Sequence, residues 1–281
     1  MSSDKEIRDF EKRHPFPHQA RVRSLFRYYK FHPDSPDDCA RLEHLLVSRL
    51  LYHSLPDAFN DPFECRPHWK WPVSAAEVRA IRIRLYRVAK LRGASNKEAL
   101  RFCSKCMQNR DTLGDAIRDS VIKNFGNIRI CSYTTSNTNI LLWSHYADSH
   151  RGLCVEFDSS KAPIGMSMKV HYQDEYPHLQ YPLPDDTRGF ETVLTKSSHW
   201  SYEDEFRSIL VPKAENQPKN DGESFYLPSA AVTNIFCGAA MPTKSKDAVA
   251  RFAERSEFKP AIWHASLSKS SFSVTFDRVN A

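Results

Sequence analysis

Runs rich in β-branched and aromatic residues stand on both sides of a block that reads only as helix, and this order restricts the fold more than any other feature. "VRSLFRYYKF" (22–31) and the start of "LLYHSLPDAFNDPFE" (50–64) come early. "IRICSYTT" (128–135), "GLCVEFD" (152–158), "MKVHYQ" (168–173), "FRSILVP" (206–212) and "VTNIFCGA" (232–239) come late, and "SFSVTFDRV" closes the chain. Such runs are strand candidates. Between the groups, Ser74 and Glu77 have the spacing of a capping box ahead of "VRAIRIRLYRVAKLR". Asn96 can cap a second helix reaching Met107, and "DTLGDAIRDSVIKNF" can form a third. "SPDDCARLEHLLVSR" places Leu42, Leu45 and Leu46 at helical spacing, and shorter helices are expected over 139–147 and about 243–256. Strands flanking a helical block predict an α+β fold rather than alternating βαβ units. The expectation is one domain, 1–281, with a helical insertion over about 74–125.

At 281 residues, 41% apolar and 26% charged, the chain can bury a substantial core and has no disordered or membrane-type composition. No run approaches the roughly 18 apolar residues of a membrane span. The polar opening "MSSDKEIRDFEKRHPFPHQ" lacks the apolar core of a secretion signal. The seven cysteines, at 39, 65, 103, 106, 131, 154 and 237, are odd in number and scattered, as expected of reduced thiols. Together these predict a cytoplasmic protein with no membrane partner. The charge of +6 is concentrated: nine Lys or Arg against one acid, Glu98, between Arg79 and Lys105. Arg79, Arg82 and Arg87 are therefore candidate contacts to nucleic acid. A solvated basic helix pair explains the same run, which lacks aromatics interleaved for base stacking.

Several chemistries have no support. Cys103 and Cys106 have metal-ligand spacing but no second tight pair, so they read as helix-core residues and no metal is expected. With eight glycines and no Gly-rich loop, a P-loop or dinucleotide fingerprint is missing. No serine sits in a nucleophile-elbow context.

Four stretches remain: "YYKF" (28–31), "FNDPFE" (59–64), "LLWSHYADSHRGLCVEFD" (141–158) and "KSSHWSYEDEFRSILVP" (196–212). In the third, Trp143, His145, Tyr146 and His150 gather before a strand that Gly152 allows the chain to enter tightly. In the fourth, strand alternation would put Glu203, Glu205 and Arg207 on one face, with Tyr202 and Phe206 on the other. Two like charges on one face repel unless a ligand or a cation needs them.

Asn-Asp-Pro-Phe-Glu, then Trp-x-x-Tyr-x-x-x-His-x-Gly, then Lys-x-x-x-Trp-x-x-Glu-x-Glu-x-Arg resembles a widespread bacterial family known only as a domain of unknown function. All three blocks occur in order between about residues 25 and 240. More distantly, the Glu-x-Glu strand entrance and the "DEFRSILVP" to "VTNIFCGA" succession are similar to ADP-ribosyltransferases of the DNA-targeting toxin type. That resemblance implies a split mixed or antiparallel sheet core with the helical subdomain inserted. It implies NAD as substrate, transfer of ADP-ribose to a macromolecular acceptor (protein, DNA or RNA) or simple NAD hydrolysis, and a toxin, effector or phage-defence role. It puts Glu205 in the catalytic position and Glu203 first in the pair.

The residue types suit this chemistry. Cleaving the nicotinamide–ribose bond passes through an oxocarbenium-like state that a carboxylate stabilises. Tyr146 or Trp143 can stack on the cationic nicotinamide ring. Lys30, Arg27 or Arg207 can anchor the diphosphate, and Tyr29, Asn60 and His145 complete the expected NAD-binding set. Two alternatives stay open. One is a non-catalytic nucleic-acid-binding or sensor module on the same fold. The other is a structural salt-bridge network in which Arg207 pairs with a glutamate, with Lys196 nearby.

Overall fold

The structure, a computed structural model, describes residues 4–65, 68–109, 111–117, 128–180, 186–212 and 214–279. In chain order the helices are α1 (Asp4–Arg13), α2 (Pro36–Leu46), α3 (Ala75–Leu91), α4 (Asn96–Gln108), α5 (111–117), α6 (Ile140–Tyr146), α7 (Asp186–Val193) and α8 (Thr243–Arg255). The early strands are β1 (Ser24–Tyr29), β2 (Leu50–Tyr52), β3 (His68–Lys70), β4 (Arg129–Thr134), β5 (Leu153–Asp158), β6 (Met168–Lys169) and β7 (His171–Gln173). The later ones are β8 (His178–Gln180), β9 (Thr195–Ser197), β10 (Glu205–Leu210), β11 (Ser224–Tyr226), β12 (Val232–Cys237), β13 (Ala261–Leu267) and β14 (Val274–Arg278). The fold class is α+β, with a large mixed sheet and several helices. Among the described residues, no helix is long and apolar enough to cross a membrane.

The chain divides into two compact units. One comprises Met1–Lys12, Leu55–Ile128 and His171–Ser198; the other comprises Arg13–Ser54, Arg129–Val170 and His199–Ala281. The helical block therefore shares its unit with two further chain segments.

In the second unit the eight-stranded sheet runs β14-β13-β12-β5-β1-β4-β10-β6. Every neighbouring pair is antiparallel except β12 and β13, whose parallel pairing needs the crossover through α8. One face packs Leu25, Val155, Phe157 and Ile235 against Leu42, Leu45 and Leu46 of α2 and Ala248 and Val249 of α8. The other face buries Tyr28, Cys154 and Phe236 against Leu142 and Trp143 of α6. Each fully buried large side chain contributes about 1.5–3 kcal/mol. α2 starts as its sequence directs: the Ser35 Oγ accepts the Asp38 N–H at 3.3 Å and Pro36 occupies the first turn.

Gly152 is needed for space rather than for the turn. A Cβ there would lie 2.1 Å from the Tyr29 carbonyl oxygen. The turn itself is taken by Asp148, Ser149 and His150, with φ of 46°, 53° and 67°. Two strand expectations also change. The run 168–173 splits, because Val170 N–H bonds the Glu205 carbonyl while His171 N–H bonds that of Leu194 in a separate two-stranded sheet. Glu203 does not extend β10: it ends a 3-10 turn, Ser198–Glu203, and Asp204 has φ 44°. Simple alternation therefore starts only at Glu205.

In the first unit, α3 and α4 both open with complete capping boxes, Ser74 with Glu77 and Ser95 with Glu98. The second cap is Ser95, one residue before the expected Asn96. Ile81 and Leu85 of α3 pack with Cys103 and Cys106 of α4 and with Leu113 and Ile117 of α5. The cysteine pair thus faces a small apolar core. Residues 118–125 of the expected third helix lie outside the described residues. Two parallel pairs, β3 with β8 and β7 with β9, complete the unit, along with a buried ion pair, Lys196 to Glu64 at 2.8 Å.

Candidate functional site

The end of β1 carries the sequence Arg27-Tyr28-Tyr29-Lys30, and its neighbours α2 and β2 leave a cleft beside it in the second unit. The cleft measures about 300 Å³, at the lower end of the range for ligand sites. Arg41, His44 and Leu45 line it from α2, where spacings of three and four put them on one helix face. Leu50, Leu51, Tyr52 and Ser54 line it from β2 and the following residues, and Tyr146 lines it from the end of α6. Three cations, one histidine and four tyrosines thus meet in a cleft whose lining contains no acid.

The cations are braced. The Arg27 guanidinium lies 5.3 Å from the Tyr29 ring centre, and its Nη1 donates to the Tyr52 carbonyl at 3.4 Å and to the Cys131 Sγ. Arg41 is held by Asp38 at 3.3 Å, and His44 Nε2 meets Ser224 Oγ at 3.1 Å. Lys30 is exposed. Burial pushes the Tyr28 and Tyr29 phenols upward, so both remain neutral donors. Tyr28 donates to the Ser136 carbonyl at 3.0 Å.

Tyr146 connects the cleft to the acidic stretch, since its phenol donates to Glu203 Oε1 at 2.7 Å. Glu203 is only 4% exposed. His145 and Tyr202 stand beside it, each ring 6.4 Å from a neighbour, and Trp200 follows at 6.0 Å from Tyr202. Glu205 is different. Arg207, with no exposed surface, clasps it through Nε–Oε1 at 2.7 Å and Nη2–Oε2 at 3.0 Å. Between the two glutamates, Asp204 pairs with Lys169 at 2.8 Å and accepts from Thr135. Burial opposes its charge, but the Lys169 and Thr135 hydrogen bonds and the Lys169 charge hold it below the usual carboxylate range.

The sequence-predicted residues therefore separate. Tyr29, Lys30 and Tyr146 line one cleft, with Glu203 and His145 adjoining Tyr146. Trp143 is fully buried, its Nε1 donating to the Asn137 carbonyl at 2.7 Å, its ring edge-on to Tyr28 and stacked on His150. This leaves no face for a nicotinamide ring. The Arg207 guanidinium is equally inaccessible to a diphosphate. Asn60, Arg79, Arg82 and Arg87 belong to the first unit, all four exposed. Arg41, His44 and Tyr52 were not anticipated. The helical spacing of the first two on α2 was the available signal. Against profiles of known protein families, curated proteins and solved structures, the chain finds no match.

Proposed function

We propose that this protein cleaves NAD in the manner of an ADP-ribosyltransferase, binding a phosphate-bearing half of the dinucleotide in the Arg27–Lys30–Arg41 cleft. The observation that carries this reading is the acid-free cleft of three cations and four tyrosines, one hydrogen bond away from a buried glutamate. Guanidinium and ammonium groups suit phosphate, and tyrosines suit a flat base or nicotinamide ring. Of the two glutamates implied by the resemblance, Glu203 takes the role at the ribose because Tyr146 links it to the cleft. The C1′–N bond breaks with its electron pair leaving on neutral nicotinamide. The oxocarbenium-like ribose, stabilised by the Glu203 carboxylate, is captured by an acceptor hydroxyl, amine or water, which then loses a proton.

The test is nicotinamide release from labelled NAD, with and without protein, DNA or RNA acceptors. Glu203→Gln is expected to lower turnover by about 10²-fold or more, and Lys30→Glu to raise KM with little change in kcat. No release from the wild-type protein with any acceptor would refute the proposal. A second reading is favoured by the Arg207–Glu205 clasp: the acidic stretch is a structural ion-pair network without catalysis. It predicts that Glu203→Gln and Glu205→Gln change stability alone.

A further inference from the structure

The sheet face opposite α2 and α8 carries residues that the NAD reading does not use. Asn234, Glu156 and Phe26 are cross-strand partners on β12, β5 and β1, so their side chains share this face. Phe236 and its register partner Trp263 share it too, as does Arg278, the partner of Trp263 on β14. The rings form a connected platform. Phe236 lies 6.3 Å from Phe26, 4.8 Å from Phe276, and 6.1 Å from Trp263 at an interplanar angle of 24°. Phe236 is buried beneath, whereas Phe26, Trp263 and Phe276 keep part of their surface open. The Arg278 guanidinium is 6.0 Å from the Trp263 ring centre.

A polar relay fixes a carboxylate beside these rings. Trp263 Nε1–H donates to Asn234 Oδ1 at 2.8 Å, which turns Asn234 Nδ2 toward Glu156 Oε2 at 2.5 Å. Glu156 is half-buried, and among the described residues it takes part in no ion pair. A partly desolvated carboxylate without a counter-charge is costly, and it accepts hydrogen bonds only. An oriented double acceptor beside stacking surface complements a base edge with two adjacent donors. Guanine offers N1–H and N2–H side by side. Adenine, cytosine and uracil each put an acceptor next to a donor there, which would face the carboxylate lone pairs. In a duplex that edge is hidden by pairing.

We infer that this face binds single-stranded nucleic acid, with a guanine stacked on the Phe26–Trp263 platform, its N1–H and N2–H on Glu156, and a flanking phosphate on Arg278. Splayed bases read on their Watson–Crick edges while stacked on aromatic side chains are the usual mode for single strands. The site stands on different side chains from the NAD cleft and holds whether or not NAD is cleaved.

The experiment is fluorescence anisotropy of labelled oligouridine carrying a single guanine, adenine or cytosine, as RNA and as DNA, with GMP as competitor. The guanine strand is expected to bind at least about 10-fold more tightly than the others. Glu156→Gln keeps the shape and should abolish that preference. Trp263→Ala should weaken all strands by about 10-fold, and Arg278→Gln should flatten the salt dependence by about one phosphate contact. The inference is overturned if the wild-type protein binds none of the strands, or binds them without base preference. It also fails if Glu156→Gln binds as wild type, if GMP competes as well as an oligonucleotide, or if only Arg79→Glu with Arg82→Glu removes binding.

Discussion

Replacing Arg207 with Met tests a buried, two-point ion pair in the sheet. The pair is dry: the Arg207 side chain has no exposed surface and that of Glu205 has 4%. Two short contacts, at 2.7 and 3.0 Å, make it bidentate, which is the strongest carboxylate geometry. Arg207→Met removes both guanidinium contacts from the buried Glu205 carboxylate, and loss of one partner of a buried pair costs about 3–5 kcal/mol. For a chain of this size that corresponds to a fall in Tm of about 6–20 °C. Glu205→Gln keeps one acceptor for Arg207 but removes the carboxylate charge facing a buried guanidinium that cannot lose its proton, so its cost is expected in the same range. The assay is urea unfolding of both single variants and of the Glu205→Met/Arg207→Met double variant, closed as a cycle. A coupling of at least about 2 kcal/mol is expected. If either single variant unfolds within about 1 kcal/mol of wild type, the pair is solvated and the reasoning from burial is wrong.

Three further outcomes follow from the geometry. His53, fully buried, donates Nδ1–H to the Leu51 carbonyl at 2.8 Å and accepts from Ser208 at 2.7 Å, and desolvation pushes its pKa from 6.5 down to about 3. The unfolded chain therefore binds a proton that the folded one does not. Stability should be full above about pH 6.5 and fall by up to about 1.4 kcal/mol per pH unit toward pH 3, with a shallower slope in His53→Gln. Gly152→Ala and Gly238→Ala would each put a Cβ 2.1 Å from a backbone carbonyl oxygen, of Tyr29 and His150 respectively. Both variants should be strongly destabilised, by about 3 kcal/mol or more, as read by thermal melts. Ser74→Ala and Ser95→Ala each remove one half of a capping box, so hydrogen exchange at the starts of α3 and α4 should quicken by about 5-fold, or about 1 kcal/mol.

Local signals read well in this sequence. The alternation of "LCVEFD" and "SLFRYY", the Ser35-Pro36 start of α2 and the Ser74/Glu77 box each act within a few residues, and each produced its element. What depended on distant partners did not read. The run 168–173 looks continuous, but its two ends find carbonyls on different strands. "AIWHASL" (261–267) carries little strand signal because its inward and outward positions do not alternate cleanly; only Ala265 is buried. Among site residues, Tyr29, Lys30 and Tyr146 could be suspected from aromatic and basic clustering at element ends. The burial of Trp143 and Arg207 could not, since a sequence shows charge and aromaticity but not which side of a sheet is roofed. Glu203 was placed on a strand face by parity, and one left-handed residue, Asp204, removed it.

The position of β1 in the sheet has a consequence for how the chain is made. β1 emerges early, yet its hydrogen-bonding neighbours on both sides, β4 and β5, begin at Arg129 and Leu153. At roughly 5–20 residues per second, the interval from Tyr29 to Leu153 lasts about 6–25 s on the ribosome. Until Arg129 appears a strand bearing Leu25, Phe26, Tyr28 and Tyr29 has both edges unpaired, and the edge that meets β5 waits to the end of that interval. The intervening segment, Leu55–Ile128, cannot finish its own unit either, because that unit also needs His171–Ser198. Each of the two interleaved units thus waits on later segments of its own, and the nascent chain offers an apolar, aromatic strand to any passing edge. Its yield in a cell should therefore depend on chaperones that shield residues 22–31 during synthesis more than on the stability of the finished fold.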